Sequence, residues 1–228
     1  MIDSIVSGLY QTLVVDNRYV LILQGLKNTL IITLFSLLLG LLIGLVIAVI
    51  KVSPKSPLMR PLHLLADIYV TVIRGTPVVV QLIIINGSIM RASDNQILIA
   101  VVAFGVNSGA YVAEIIRGGI LAVDRGQTEA GRSLGLTPWM TMRHIVLPQA
   151  FKTSLPALGN EFIALLKETS VAGYVAIRDL TKAGDSIFSR TYNIASMYIV
   201  ALIYLVLVIG LTALLGRLER RLHKNDHR

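Results

Sequence analysis

Three stretches of this sequence place ionisable or amide side chains at helical spacing within otherwise apolar surroundings. Asp67, Thr71, Arg74 and Gln81 form the first set. Asn107, Tyr111 and Glu114 form the second, and Asn160 with Lys167 and Glu161 with Glu168 form the third. Separations of three, four or seven residues bring each set onto one helical face. Polar groups inside a membrane normally face protein or a water-filled cavity, because hydrocarbon solvates them poorly. The chemistry on offer is recognition rather than bond breaking. Arg74 or Asn160 could hold a carboxylate, and the Glu161 carboxylate could hold a basic group. Asp67, Arg74, Gln81, Asn107, Tyr111, Asn160 and Glu161 are therefore the expected lining of a path for a polar solute. The competing expectation is internal ion pairing that only fixes helix packing, Asp67 with Arg74, or Glu161 with Arg74 or Lys167.

Other chemistries are absent from the sequence. There is no cysteine, hence no disulfide and no Cys-based metal site. No phosphate-binding Gly-Lys loop, H-E-x-x-H pair or nucleophile elbow is present, and the four histidines are scattered. The expectation is a protein that is not an enzyme and carries neither metal nor cofactor of its own. The net charge of +8 does not indicate nucleic acid, because the basic residues lie in loops and are not interleaved with aromatics on a soluble face.

The elements that must carry the polar sets are membrane helices. Hydrophobic residues make up 54% of the chain and the mean hydropathy is +0.72, above the range of soluble domains. Residues 28–50 and 191–216 are free of charge, and each exceeds the ~20 residues needed to cross a bilayer. The reading is an all-α integral membrane protein with five spans, at residues 25–50, 61–90 (kinked at Pro77), 96–116, 154–175 and 194–216. Residues 1–24 read as an amphipathic interfacial segment, 25–216 as the transmembrane domain and 217–228 as a basic tail. Spans two, three and four carry the polar sets. Spans one and five read as lipid-facing scaffold, with Gly40 and Gly44 giving the first a small-residue contact face. Lys and Arg concentrate around residues 51–60, in 117–152 and in the tail. That bias predicts the N-terminus outside, the C-terminus in the cytoplasm and the polar segment between spans three and four also in the cytoplasm.

That polar segment, residues 127–148, has strong local signals. Asp124 followed by Gln127 fits a capping box, opening a helix that runs to Leu134 with Gly135 as its αL terminator. Thr137-Pro138 reads as the start of a second short helix, with Trp139, Met142 and Val146 on its apolar face. Pro148 reads as an interruption before the fourth span.

The spacing of Glu129-Ala130-Gly131, Gly135 and Ile145-Val146-Leu147-Pro148 resembles the EAA loop of bacterial ABC importer permeases, with Gly131 where that family usually has a second Ala. Arg74-Gly75-Thr76-Pro77 with Gln81 is similar to the polar-amino-acid branch of the family, which includes the histidine, arginine and glutamine permeases. So are Asn107 through Tyr111 with Glu114 and Arg117-Gly118-Gly119, and Gly159-Asn160 through Lys167-Glu168-Thr169-Ser170. The resemblance implies a multi-pass subunit of the bacterial cell membrane that pairs with a second, identical or homologous, permease subunit. It also implies a cytoplasmic ABC ATPase dimer, which binds the ATP, and an extracytoplasmic amino-acid-binding protein. On this reading Glu129, Ala130, Gly131, Gly135, Leu136 and Pro148 couple the chain to the ATPase, with the region 123–150 docking in an ATPase groove. Glu161 would then favour a basic amino acid. The alternative within the family is a permease for glutamine or another polar amino acid, and the alternative of a different class is a secondary transporter or channel, with the loop incidental.

Overall fold

The computed structural model describes Gly8, Tyr10 and residues 12–54 and 56–223. Residues 1–7, Leu9, Gln11, Lys55 and the tail beyond His223 lie outside the described residues, and with them much of the expected interfacial segment 1–24. All regular structure among the described residues is helical. Helix α1 is Tyr19–Val52 and starts six residues before the first expected span. Helices α2, Arg60–Gly75, and α3, Val78–Ile84, come next, and α3 widens into a π-type turn over Ile85–Ile89. Helix α4 is Gln96–Leu121, capped by the Asn95 side chain, which accepts from Leu98 N–H. Helices α5, Arg125–Ser133, and α6, Pro138–Thr141, form the polar segment. A π-type turn over Met142–Val146 joins α6 to α7, Leu147–Glu168. Helix α8, Leu180–Thr191, and α9, Ala195–His223, complete the chain.

Helix α4 is the centre of the bundle, and most of its apolar stretch is buried. Close approach of α1 is permitted by small residues. A Cβ at Gly40 would lie 3.1 Å from Ser108 Cβ, and Gly44 presses on Val112 and Ala113. The small-residue face expected of the first span therefore meets α4. The main core gathers Ile32 of α1, Leu82 of α3, Ile99, Ala103 and Phe104 of α4 and Leu165 of α7. Helix α9 buries little of itself, the least of the three helices long and apolar enough to cross a membrane.

Four expectations require correction. The stretch 61–90 is not one kinked helix: α2 and α3 meet at a bend of 109°, because Thr76 and Pro77 are both extended, as the pre-proline clash demands. The fourth helix does not begin near Ser154 after an interruption at Pro148. It is continuous with the polar segment through the π-type turn, and after Glu168 it tightens into a 3-10 helix, Thr169–Val175, that ends where the span was expected to end. The loop expected over 176–193 contains a twelve-residue helix, α8. Asp179 caps it by accepting from Thr181 and Lys182 N–H, and Leu180 N–H donates to Thr29 Oγ1 of α1. Burial pushes the Asp179 carboxyl above its ordinary value, while the N–H groups of Lys182 and Thr181 act in the opposite sense. Lastly, α9 runs on through the start of the expected tail to His223. Three helical stretches, Val15–Val52, Gln96–Leu121 and Ala195–Arg221, are long and apolar enough to cross a membrane, and the bent pair α2–α3 makes four if counted as one span.

Candidate functional site

Side chains from the three polar faces meet at α4, and several of them are held there by a protein partner. At the α2–α3 break the last carbonyls of α2 lose their helical donors. Gln81 replaces them: its Nε2 donates to Ile73 O at 2.8 Å, to Thr76 O at 3.1 Å and to Thr76 Oγ1 at 2.8 Å. Asn107 Nδ2 of α4 then donates to Gln81 Oε1 at 3.0 Å. Both residues are buried, so this pair pins the broken helix to the bundle centre and satisfies groups that would otherwise be orphaned.

One helical turn further along α4, Tyr111 lies beneath Arg74, whose Cζ is 5.2 Å from the ring centroid. That is within cation–π range. Arg74 remains exposed and, among the described residues, forms no ion pair with Asp67. Asp67 instead accepts from Lys51 Nζ at 2.9 Å. The same ammonium is 2.9 Å from Glu114 Oε1, and Glu114 Oε2 is 2.7 Å from Arg117 NH2. Four charges of two signs thus tie the C-terminal end of α1 to α2 and α4.

Glu161 of α7 is half-buried and accepts from Ser108 Oγ at 2.8 Å. No ion pair involving Glu161 occurs among the described residues, so neither Arg74 nor Lys167 neutralises it. Its neighbour Asn160 is exposed. The Glu161 carboxylate is thus held by a neutral hydroxyl, beside an exposed amide.

The polar segment is built as its local signals indicate. Asp124 Oδ1 accepts from Gly126 N–H at 2.7 Å, one residue earlier than the capping-box spacing suggests. Helix α5 ends in a Schellman arrangement: Leu136 N–H reaches Gly131 O at 3.1 Å and Gly135 N–H reaches Arg132 O at 3.0 Å. Gly135 has φ +78° with no atom near its missing Cβ, so backbone conformation rather than crowding calls for glycine there. Thr137 Oγ1 caps α6 by accepting from Met140 N–H. Gly131 is buried where α5 crosses the π-type turn, and a Cβ on it would come within 2.9 Å of Ile145 Cδ1 and Thr141 Cγ2. Glu129, Ala130, Leu134 and Trp139 are exposed. The far end of the segment, at Pro148, leads directly into α7.

Residues 40–224 match the family described as the binding-protein-dependent transport system inner membrane component. The chain belongs to this family. It is a permease subunit of the ABC importer type, whose ATPase is a separate subunit, and binding-protein and ATPase partners are implied in general terms. It is 41% identical over 209 residues to the arginine transport system permease protein ArtQ of Bacillus subtilis (strain 168), covering 90% of this chain and 94% of that protein. Against the glutamine transport system permease protein GlnP of Escherichia coli (strain K12) the identity is 39% over 162 residues, covering 69% and 74%. Among solved structures, a crystal structure of an amino acid ABC transporter with histidines superposes with a TM-score of 0.81 at 46% identity, covering 88% of this chain and 94% of that one. The inward-facing MetNI methionine ABC transporter shares the fold, with a TM-score of 0.77 at 24% identity.

Within this permease subunit, Ser108, Lys51, Thr76 and Arg117 are structural partners that spacing did not single out. Ser108 directly follows Asn107, which turns it toward α7 rather than α3. Lys51 stands at the end of a charge-free run, where a basic residue is ordinarily a topology signal, and it gives no local hint of a partner on α4.

Proposed function

We propose that the chain is the membrane-spanning subunit of an ABC importer for basic amino acids such as arginine, lysine or histidine. The observation that carries the substrate class is Glu161, a half-buried carboxylate held by Ser108 and lacking a cationic partner among the described residues. The likeness to an arginine permease supports the same reading. The subunit crosses the inner membrane of a bacterium five times, counting the bent α2–α3 pair and α7 as spans, with its N-terminus outside. It pairs with a second permease subunit and alternates between outward and inward access as two cytoplasmic ATPases close and open. Arg74, Tyr111, Asn160 and Glu161 face the path. Gln81 and Asn107 hold its wall, and Asp67 belongs to the same wall through Lys51. At the end of the bundle opposite the polar segment, Arg178, Lys182 and Arg190 line a small cleft with Gln24 and Asn28, which suits docking of the binding protein.

A second reading, a glutamine importer, is favoured by the GlnP likeness. Liposomes containing the permease and its ATPase, supplied with binding protein and ATP, separate the two. Arginine uptake that unlabelled lysine or histidine inhibits and glutamine does not is the expected result. Uptake of glutamine with exclusion of arginine would overturn the substrate assignment, and uptake independent of the ATPase would overturn the importer mechanism itself.

The polar segment is the coupling element. Glu129 lies in the first helix of the loop and is exposed to accept an Arg or N–H from the ATPase. Movement of α6 passes into α7, which carries Glu161, along an uninterrupted helical path, and α5 is packed on that path at Gly131. The close packing at Gly131 makes α5 and α6 move together. Gly131→Leu inserts a side chain between them and is expected to cost about 1–3 kcal/mol through overpacking. The subunit should still reach the membrane while losing ATPase co-purification and ATP-driven uptake. Gly131→Ala, whose Cβ would lie 2.9 Å from Ile145 Cδ1 and Thr141 Cγ2 and 3.1 Å from Thr141 Oγ1, should weaken both, but less than Leu. Normal uptake by the Leu variant would remove this contact from the coupling mechanism.

A further inference from the structure

We propose that the cleft between α7 and α9 binds an anionic phospholipid, with an acyl chain lying in the cleft and the phosphate on Arg217 and Arg221. The cleft has a volume of about 460 Å³, within the ~300–1,000 Å³ typical of ligand pockets. Its walls are Phe162 and Ile163 of α7 and Leu211, Leu214 and Leu218 of α9, and among the described residues its charged lining is the two arginines. Gly159 forms the floor where α7 and α9 touch, against Leu215.

The depth of these groups matches a phospholipid. Residues 195–216 of α9 carry no charge, and at ~1.5 Å per residue they cross the ~30 Å hydrocarbon core. Arg217 therefore stands at headgroup level, and Arg221, one turn on, stands beside it. The apolar walls lie on the hydrocarbon side of the arginines, where an acyl chain would be. Both arginines are exposed. The basic end of the cleft points to the same end of the bundle as the polar segment, hence to the cytoplasmic leaflet in the topology proposed above. Basic pockets between helices on that side suit anionic headgroups.

A second copy of the chain is the other conceivable occupant, and the helix geometry disfavours it. Glu161 projects from α7 toward Ser108 and the bundle centre. Gly159 and Ile163 lie on the opposite side of the same helix, with Phe162 on its flank, so the cleft opens away from the path that two subunits would share. The inference rests on α9 lying in a bilayer and not on the identity of the solute.

The test uses the intact permease–ATPase complex in nanodiscs of phosphatidylcholine with and without phosphatidylglycerol, with bound lipid read by native mass spectrometry. The unmodified complex should retain phosphatidylglycerol in preference to phosphatidylcholine. The double variant Arg217→Gln/Arg221→Gln should retain it about thirtyfold less well, and the double Arg→Lys variant should restore retention. Leu214→Trp, which fills the cleft and leaves both arginines in place, should also lose the lipid. Uptake by the same variants shows that they are folded. Equal retention by the double Gln variant, or equal retention of the two lipids by the unmodified complex, would overturn the proposal. So would a disulfide-linked permease dimer from Leu214→Cys, because the chain has no other cysteine and such a link would put a second copy in the cleft.

Discussion

Glu161→Gln should reduce arginine uptake by roughly tenfold to a hundredfold while leaving subunit assembly intact. The substitution keeps the shape of the side chain and the oxygen that accepts from Ser108 Oγ at 2.8 Å. It removes only the negative charge. A hydrogen bond to a charged partner contributes roughly 1.5–3 kcal/mol, and at 1.4 kcal/mol per factor of ten that sets the expected range. Local electrostatics sharpen the effect. Among the described residues no cation pairs with Glu161, so the substrate's basic side chain would supply the missing charge. Its removal is therefore felt by arginine and hardly by glutamine, whose side chain is neutral. Uptake of both amino acids by the same proteoliposomes measures this directly. Equal retention of the two would exclude Glu161 as a selector and leave it a packing residue on Ser108.

The polar segment between α4 and α7 was the most legible part of the chain because its signals are local. Asp124, Thr137 and Gly135 act within three residues of themselves, on N–H groups and carbonyls of the same turn, so identity and spacing suffice to place them. Gly131 is different. Its departure from the family's usual Ala costs helix propensity, and the reason appears only when Thr141 and Ile145 are seen packed against it. The continuity of α6 into α7 was hidden by Pro148, which reads as a breaker. Its ring conflicts with the carbonyl four residues back, which is that of His144, and this lies inside the π-type turn of Met142–Val146, where the regular ladder is already widened.

The polar faces were legible as faces but not as partnerships. Asn107, Tyr111 and Glu114 share a stripe on α4, yet they meet Gln81, Arg74 and the Lys51–Arg117 pair respectively. Helical spacing fixes which way a side chain points; the residue it meets depends on the sharp turn at Thr76-Pro77 and on how closely Gly40 and Gly44 let α1 approach. Pro77 announced a kink, but the size of the bend needed Gln81 to satisfy the freed carbonyls and Asn107, on α4, to hold the Gln81 Oε1.

Those partnerships also locate the largest expected loss of stability. Glu114→Gln removes the carboxylate at the centre of the cluster that joins α1, α2 and α4. As it stands the cluster is neutral: Lys51 and Arg117 balance Asp67 and Glu114. After the substitution two cations face one anion, and a positive charge remains where Lys51 is only 15% exposed. Breaking a fully buried pair in this way costs about 3–5 kcal/mol. Arg117 at 33% and Asp67 at 61% side-chain exposure keep part of the cluster in contact with solvent, so about 2 kcal/mol is the expected loss here. It should appear as a lower thermal unfolding midpoint of the permease in nanodiscs. The second variant distinguishes charge balance from lost packing. Adding Lys51→Met to Glu114→Gln leaves Arg117 with Asp67 and restores neutrality, so the double variant should be more stable than Glu114→Gln alone. In a double-mutant cycle the two changes should be strongly coupled. Additive losses would mean that Lys51 and Glu114 contribute separately, and that the end of α1 is held to α4 by its apolar contacts instead.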